Sequence, residues 1–99
     1  MKKDPVINRF VWIDCEMTGL EIQKDVILEI ATVITDINLE IIAEGPELVI
    51  HQSDRHLHDM IPIVKEMHEK SGLTQDVRAS HILLEEAERQ TFEFIAKYC

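Results

Sequence analysis

The sequence is poor in cysteine and in positive charge. Cys15 and Cys99 are the two cysteines of its 99 residues, and they lie far apart, so neither a disulfide framework nor a zinc site is predicted. The 10 basic and 19 acidic residues give a formal charge of -9, which argues against sequence-independent binding of long duplex nucleic acid. A solvated acidic surface is the simpler explanation of the charge. A nucleic-acid partner would have to be short and held locally.

Targeting and membrane-spanning segments are also missing from the sequence. The first ten residues contain no apolar stretch long enough for a signal peptide, and Asp4 and Pro5 interrupt an amphipathic transit helix. No run of residues approaches the length of a membrane span, so no membrane partner is expected. Because a reducing compartment is the default for unpaired cysteines, we expect a cytoplasmic protein and leave a mitochondrial location open.

Glycine and proline, three residues of each, are scarce enough to mark element boundaries. Segments rich in β-forming residues predict an antiparallel meander of three strands, over residues 10–17, 26–36 and 39–50. Gly45 and Pro46 predict a bend or bulge in the third strand, because proline cannot donate to the sheet ladder. The polar stretch HQSDRHLHD, residues 51–59, is predicted to be a loop.

Two helices are predicted after the strands. Pro62 can open a helix that runs to about Lys70, with Gly72 as its C-terminal stop. A second helix should cover residues 84–98, because one face there carries Leu84, Ala87, Thr91, Phe94, Ile95 and Tyr98. With 45% apolar residues the chain can form one small domain. A sheet of this kind usually needs a longer chain to cover both faces, which raises a question of completeness.

Asp14 and Glu16 are the most informative residues of the first strand. Alternate strand positions face the same side, so their Cα atoms should lie roughly 6.6 Å apart with both carboxylates converging. Acids in an apolar strand are costly to bury unless paired or bound to metal, and Mg²⁺ would remove that cost. The alternative is an edge strand with its wet face outward, and the residues alone favour neither. The apolar neighbours Trp12, Ile13 and Cys15 suggest that both faces are largely buried, with Cys15 a small core residue.

Four blocks of the sequence resemble oligoribonuclease, in the same order and over nearly the whole chain from Phe10 to about Tyr98: WIDCEMTGL, ILEIATVITD, AEGPELVIHQSD and MHEKSGLT. The resemblance implies a DEDDh exonuclease with an α/β, ribonuclease H-like fold, a mixed five-stranded sheet with surrounding helices. This chain would hold only the first three strands and two helices. It also implies a homodimeric 3′-to-5′ exoribonuclease that degrades short single-stranded RNA, including dinucleotides, to nucleoside 5′-monophosphates.

The resemblance assigns roles to individual residues. It makes Asp14 and Glu16 the first two of four acids that bind two Mg²⁺ or Mn²⁺ ions. It makes Leu20 an apolar wedge against the substrate bases; otherwise Leu20 would be a core residue beside a turn. It gives His68 a contact with the 5′ phosphate of a dinucleotide; otherwise His68 would be a surface histidine near a helix C-terminus. Ile63 departs from the family, which commonly carries a base-stacking aromatic residue there.

Several groups that the family requires are absent from the sequence. The second aspartate, the histidine base and the last aspartate have no counterpart, and the pair His81 and Glu86 is better explained as structural. The stretch 51–59 matches no standard metal site. We therefore expect residues 1–99 to be the amino-terminal portion of one exonuclease domain and to be inactive when isolated. The alternative function is a catalytically inactive module that binds a partner or a nucleotide.

Overall fold

The computed structural model describes residues 8–99 and contains one antiparallel sheet with the strand order β1-β2-β3. Its strands are β1 (Arg9–Met17), β2 (Ile27–Asp36) and β3 (Ile41–Val49). The predicted meander is thereby confirmed, and β2 is the central strand. The expectation that the first residues carry no targeting helix falls largely on residues 1–7, which lie outside the described residues.

The predicted irregularity at Gly45 and Pro46 is confirmed by the pairing of β2 with β3. Ala31 lies opposite Glu47 whereas Val33 lies opposite Glu44, so β3 carries one extra residue between these two pairs. A Cβ atom on Gly45 would lie 2.7 Å from the ring of Phe94. The lack of a side chain at this bulge therefore lets the last helix of the chain approach the sheet closely.

Four helices follow the strands: α1 (Asp54–His58), α2 (Pro62–Ser71), α3 (Leu73–Ala79) and α4 (Leu84–Tyr98). The predictions for α2 and α4 are confirmed, with Pro62 in the first turn of α2 and Gly72 ending it in the left-handed region at φ 86°. The prediction that residues 51–59 form a loop was wrong for α1. Leu57 is 1% exposed, and its packing in the core stabilises a helical turn. The polar composition of this stretch does not predict that turn, because tertiary packing can override local propensity. The short helix α3 was not predicted.

The helices pack against two parts of the sheet. α4 covers the face opposite the two acids, because Cys15 packs there against a cluster of Ile30, Leu48, Ile50 and Ala87. A second cluster joins the start of β2 to the shorter helices through Leu28, Leu57, Met60, Leu73 and Val77. Among the residues predicted for the buried face of α4, Ala87 is fully buried whereas Leu84 remains 39% exposed.

β1 is an edge strand in the part of the chain that the structure describes. The expectation that both of its faces are largely buried was wrong: Phe10, Trp12 and Ile13 are 46%, 51% and 53% exposed. The physical reason is that β2 pairs with one side of β1 and no described strand pairs with the other. Residues 8–99 include no helix that is long and apolar enough to cross a membrane.

Candidate active site

The acidic motif lies at the open edge of the sheet. Asp14 and Glu16 point to the same side of β1, with Asp14 exposed and Glu16 half-buried. Across the strand pair, Ala31 lies opposite Asp14 and Glu29 lies opposite Glu16, so a third carboxylate faces the same side. Burial raises the pKa of the Glu29 carboxyl, and the negative charges of Glu47, Glu16 and Asp14 raise it further. The negative charge on this face of the sheet therefore favours the binding of cations and the protonation of Glu29.

A cavity of about 250 Å³ connects this acidic face to α2 and α3. The lining consists of Glu16, Glu29, Met67, His68, Ser71, Leu73 and Asp76. Met67 is 52% exposed and provides an apolar side chain beside the carboxylates. The cavity thus combines negative charge on its sheet side with apolar and hydrogen-bonding groups on its helix side.

His68 is buried at 2% exposure, so its interpretation as a surface histidine near the helix dipole was wrong. Its Nε2 lies 2.9 Å from the carbonyl oxygen of Met17. Because a carbonyl oxygen only accepts, Nε2 must carry the hydrogen and donate it. His68 therefore ties α2 to the end of the acidic strand. In the neutral ring Nδ1 is an acceptor, so a phosphate contact would require a protonated imidazole, and this contact stays a prediction.

Residues 18–26, which we call the Leu20 loop, connect β1 to β2. Leu20 is 90% exposed and Ile22 is 96% exposed, so the interpretation of Leu20 as a core residue was wrong. A depression of about 260 Å³ lies beside Leu20, and Ile61 and Val64 also line it. The loop therefore presents large apolar side chains to any ligand that reaches this end of the sheet.

Ile63 lies on the first turn of α2 and is 73% exposed. Met67 follows four residues later and so lies on the same side of the helix. Together they form an aliphatic strip at the position where the resemblance implies an aromatic residue. Sequence reasoning named Ile63 but missed Met67, because a methionine at helical spacing is usually a core residue.

Comparison with known proteins assigns the family. Residues 11–98 match the family model described as exonuclease, of the RNase T type. The chain belongs to this exonuclease family. It is 58% identical over 98 residues to a probable oligoribonuclease of Dictyostelium discoideum, an alignment that covers 95% of this chain and 52% of that protein. It is 53% identical over 91 residues to an oligoribonuclease of Ruthia magnifica subsp. Calyptogena magnifica, covering 92% and 51%. For an oligoribonuclease of Mycobacterium sp. (strain KMS) the identity is 48% over 88 residues, covering 89% and 41%.

These comparisons confirm the resemblance to oligoribonucleases and the predicted α/β fold class. The three antiparallel strands and four helices form part of a ribonuclease H-like exonuclease domain, with two more helices than the sequence predicted. The exonuclease-family chain spans about half the length of the curated relatives that it matches, between 41% and 52% in these three. Asp14 and Glu16 lie within the matched residues, and their assignment to the first acidic motif stays a prediction.

The exonuclease family is generally dependent on divalent metals, and the described residues fit only part of a metal site. Among residues 8–99, no group of three or more histidine, cysteine, aspartate or glutamate side chains could hold a metal ion. Asp14 and Glu16 are hard oxygen ligands of the type that Mg²⁺ and Mn²⁺ prefer. They could contribute two carboxylates to a site whose other ligands come from elsewhere.

Two acids of this exonuclease-family chain were not recognised in the sequence. Glu29 had a signal, because it is the one charged residue within the otherwise apolar first half of β2, ILEIA. Asp25 had none beyond its place before a strand, since its importance depends on hydrogen bonds that close the Leu20 loop. The pair His81 and Glu86 lines one open surface cavity, where Glu86 forms an ion pair with Arg89.

Proposed function

We propose that this chain is the amino-terminal part of a 3′-to-5′ exoribonuclease that degrades short RNA oligonucleotides to nucleoside 5′-monophosphates. The observation that carries the proposal is the pair Asp14 and Glu16, which share one face of β1 within a chain that belongs to the exonuclease family. The names of its relatives support short RNA as the substrate class. By the same resemblance the complete enzyme would be homodimeric. The two cysteines of this chain favour a reducing compartment, the cytoplasm, with a mitochondrial location left open.

Asp14 and Glu16 would hold the divalent metal, Mg²⁺ or Mn²⁺, together with ligands from outside the described residues. Bound there, a pair of such ions would supply water activation and neutralisation of the phosphate charge. The negative face formed with Glu29 would attract the cations, and it would repel the phosphates of a substrate that arrives without them. Binding of RNA and binding of the cations should therefore favour each other in this proposal.

The apolar side chains near the acids would bind the substrate bases. Leu20 would separate neighbouring bases as a wedge, and Ile63 with Met67 would support one base in place of an aromatic ring. An aliphatic strip lacks the stacking of an aromatic ring, which contributes roughly 1–3 kcal/mol per base. His68 would act mainly by holding Met17 at the end of the acidic strand, with a phosphate contact only in its protonated form.

The test combines two halves of the enzyme. The purified chain is incubated with Mn²⁺ and a 5′-labelled RNA dinucleotide, alone and then with a separately expressed carboxy-terminal half of a relative. We expect no appreciable turnover by the chain alone, because groups that act as one catalytic unit fail together when several are missing. We expect turnover by the mixture, and we expect Asp14→Asn and Glu16→Gln to abolish it.

Glu88→Gln is the matched control, because Glu88 is exposed on α4, which packs on the opposite face of the sheet. This variant should support the same turnover as the wild-type chain. Turnover by the chain alone that disappears in Asp14→Asn would contradict the expected inactivity of the isolated chain. If the two halves bind each other tightly but the mixture shows no metal-dependent turnover of the dinucleotide, the exoribonuclease proposal itself is contradicted.

A second candidate function comes from the incomplete ligand set. Because no group of three metal-binding side chains exists among residues 8–99, the chain could act as a non-catalytic module that binds a partner protein or a nucleotide. The exposed apolar residues of β1 and of the Leu20 loop favour such binding. The same mixing experiment distinguishes the candidates, since only the enzyme predicts metal-dependent release of nucleoside monophosphate.

A further inference from the structure

We propose that Asp25 is a positioning residue whose carboxylate holds the Leu20 loop so that Leu20 and Ile22 point outwards in a preformed arrangement for contact with nucleobases. The contact with nucleobases rests on the proposed function. The positioning of the loop does not, because it follows from hydrogen bonds and steric contacts within the loop itself.

The Asp25 carboxylate forms hydrogen bonds with residues on both sides of Leu20. Its Oδ2 accepts a hydrogen bond of 2.9 Å from the backbone N–H of Glu21, just after Leu20. Its Oδ1 accepts a hydrogen bond of 2.9 Å from the hydroxyl of Thr18, just before Gly19. One side chain thus binds the Thr18 side chain before Leu20 and the Glu21 backbone after it, and the ionised carboxylate is the form that accepts both bonds.

Thr18 connects this carboxylate to the sheet. It is 3% exposed, its Oγ1 accepts a hydrogen bond of 2.9 Å from the N–H of Val26, and its own N–H donates to the Val26 carbonyl at 3.0 Å. The hydroxyl is therefore both donor and acceptor. Valine has the same shape but makes neither bond, whereas serine retains both, so the pair of substitutions separates hydrogen bonding from packing.

Gly19 supplies a steric observation that is independent of the hydrogen bonds. A Cβ atom at this position would lie 2.7 Å from the carboxyl carbon of Asp25, closer than real Cβ contacts come. The carboxylate therefore fills the space that a side chain at residue 19 would need. Gly19→Ala should push the carboxylate away and release the loop without removing any polar group.

The exposed side chains at the tip of the loop indicate that its positioning serves the binding of a ligand. Leu20 and Ile22, at 90% and 96% exposure, gain no burial energy in the free chain. A flexible loop would lose conformational freedom when such side chains bind, whereas a loop already closed by Asp25 loses less. Asp25 should therefore act on the binding of the substrate and not on the chemical step.

The first experiment measures the loop in the isolated chain. Hydrogen exchange of the Glu21 amide and methyl order parameters of Leu20 and Ile22 are compared in wild type, Asp25→Asn, Thr18→Val and Thr18→Ser. Asp25→Asn keeps only one oxygen acceptor, and Thr18→Val removes the bonds that the hydroxyl makes with Asp25 and Val26. We expect both to loosen the carboxylate's hold on Glu21, to speed exchange of its amide by up to about tenfold, and to lower the methyl order parameters. Thr18→Ser should restore the wild-type values.

Glu21→Gln is the control, because it removes the exposed ion pair with Lys24 in the same loop but leaves the Glu21 amide in place. It should change neither observable. Amides of β2 report whether each variant is folded, and if Asp25→Asn does not fold, the comparison of Thr18→Val with Thr18→Ser decides the question. Unchanged amide exchange and unchanged methyl order in the folded variants would overturn the proposal.

The second experiment uses the mixture of halves with wild type, Asp25→Asn, Leu20→Ala and the double variant. Asp25→Asn should raise KM for a dinucleotide while kcat stays the same, and this effect should be smaller when Leu20 is already alanine, because only Ile22 then remains to be positioned. A fall in kcat, or an equal effect in both backgrounds, would overturn the positioning role. Absence of turnover in the wild-type mixture would instead contradict the proposed function, and the exchange and order measurements would still decide the positioning of the loop.

Discussion

The strongest electrostatic prediction concerns Glu29, which faces Glu16 across the pairing of β1 with β2. Directly opposite residues in an antiparallel pair lie about 5 Å apart at their Cβ atoms, and like charges there are destabilising. At that distance two charges repel by about 0.8 kcal/mol in water and by about 3 kcal/mol at an effective dielectric constant of 20. Because both side chains are only partly buried, we expect a value near the lower limit, about 1 kcal/mol.

Glu29→Gln should therefore stabilise the chain at pH 7 in a buffer free of divalent cations. Glutamine has nearly the same shape and removes the cost of burying the charge as well as its repulsion from Glu47 and Glu16. The melting temperature should therefore rise by about 4–8 °C for about 1 kcal/mol in a domain of this size. The direction in which stability changes with pH follows from the raised pKa of the Glu29 carboxyl, whose ordinary value is 4.5. Protonated Glu29 contributes stability at low pH, and this stability is lost as the pH rises through the raised folded pKa.

The assay is thermal unfolding followed by circular dichroism between pH 4 and pH 8. The advantage of Glu29→Gln should be absent at the acid end, grow as the pH rises, and shrink in 1 M salt because screening weakens the repulsion. Glu44→Gln is the control, since Glu44 is exposed on β3 opposite the uncharged Val33. Equal stability of Glu29→Gln and wild type at pH 7, or an advantage that does not change with pH, would refute the reasoning.

Three further predictions concern metal, substrate and core. Asp14→Asn and Glu16→Gln should each weaken Mn²⁺ binding in a calorimetric titration, since each removes a charged oxygen ligand; equal affinities would exclude the metal assignment. In the mixture of halves, Ile63→Trp should lower KM for a dinucleotide with little change in kcat, and an unchanged KM would show that residue 63 does not stack. Leu57→Ala should cost about 2–5 kcal/mol in denaturant unfolding, whereas Leu83→Ala, at a position 57% exposed, should cost much less.

Local signals account for the parts of the fold that the sequence predicts. Alternation of β-forming residues indicates all three strands, and Pro62 with Gly72 indicates both ends of α2, because such patterns act over a few residues. α1 follows from the burial of Leu57 among residues distant in sequence, which local composition does not indicate. The burial of His68 likewise depends on a hydrogen bond to Met17, 51 residues away. Contacts between residues this far apart in sequence cannot be predicted from the periodicity or spacing of residues.

The candidate site likewise has some features that the sequence predicts and others that depend on the folded structure. The shared face of Asp14 and Glu16 follows from the strand period alone, and the exposure of Leu20 and Ile63 agrees with the binding roles that the resemblance implies. Glu29 joins them because of the strand register, which is fixed by a bulge between Glu16 and Met17 and by turn geometry. Asp25 has no periodic signal, since its effect comes from two hydrogen bonds that a loop conformation creates.

The exposure of β1 links the stability of the chain to its proposed chemistry. Asp14 is exposed on a strand with one unpaired edge among the described residues. Water there screens the repulsion between Asp14 and the neighbouring acids, and it also weakens the attraction of Asp14 for a cation. If further strands pair with β1, as the proposed function requires, water leaves this face and both interactions become stronger. The acids would then be unfavourable without metal and bind it more tightly with metal. Completion of the sheet and affinity for Mg²⁺ or Mn²⁺ should therefore increase together, each favouring the other through thermodynamic linkage.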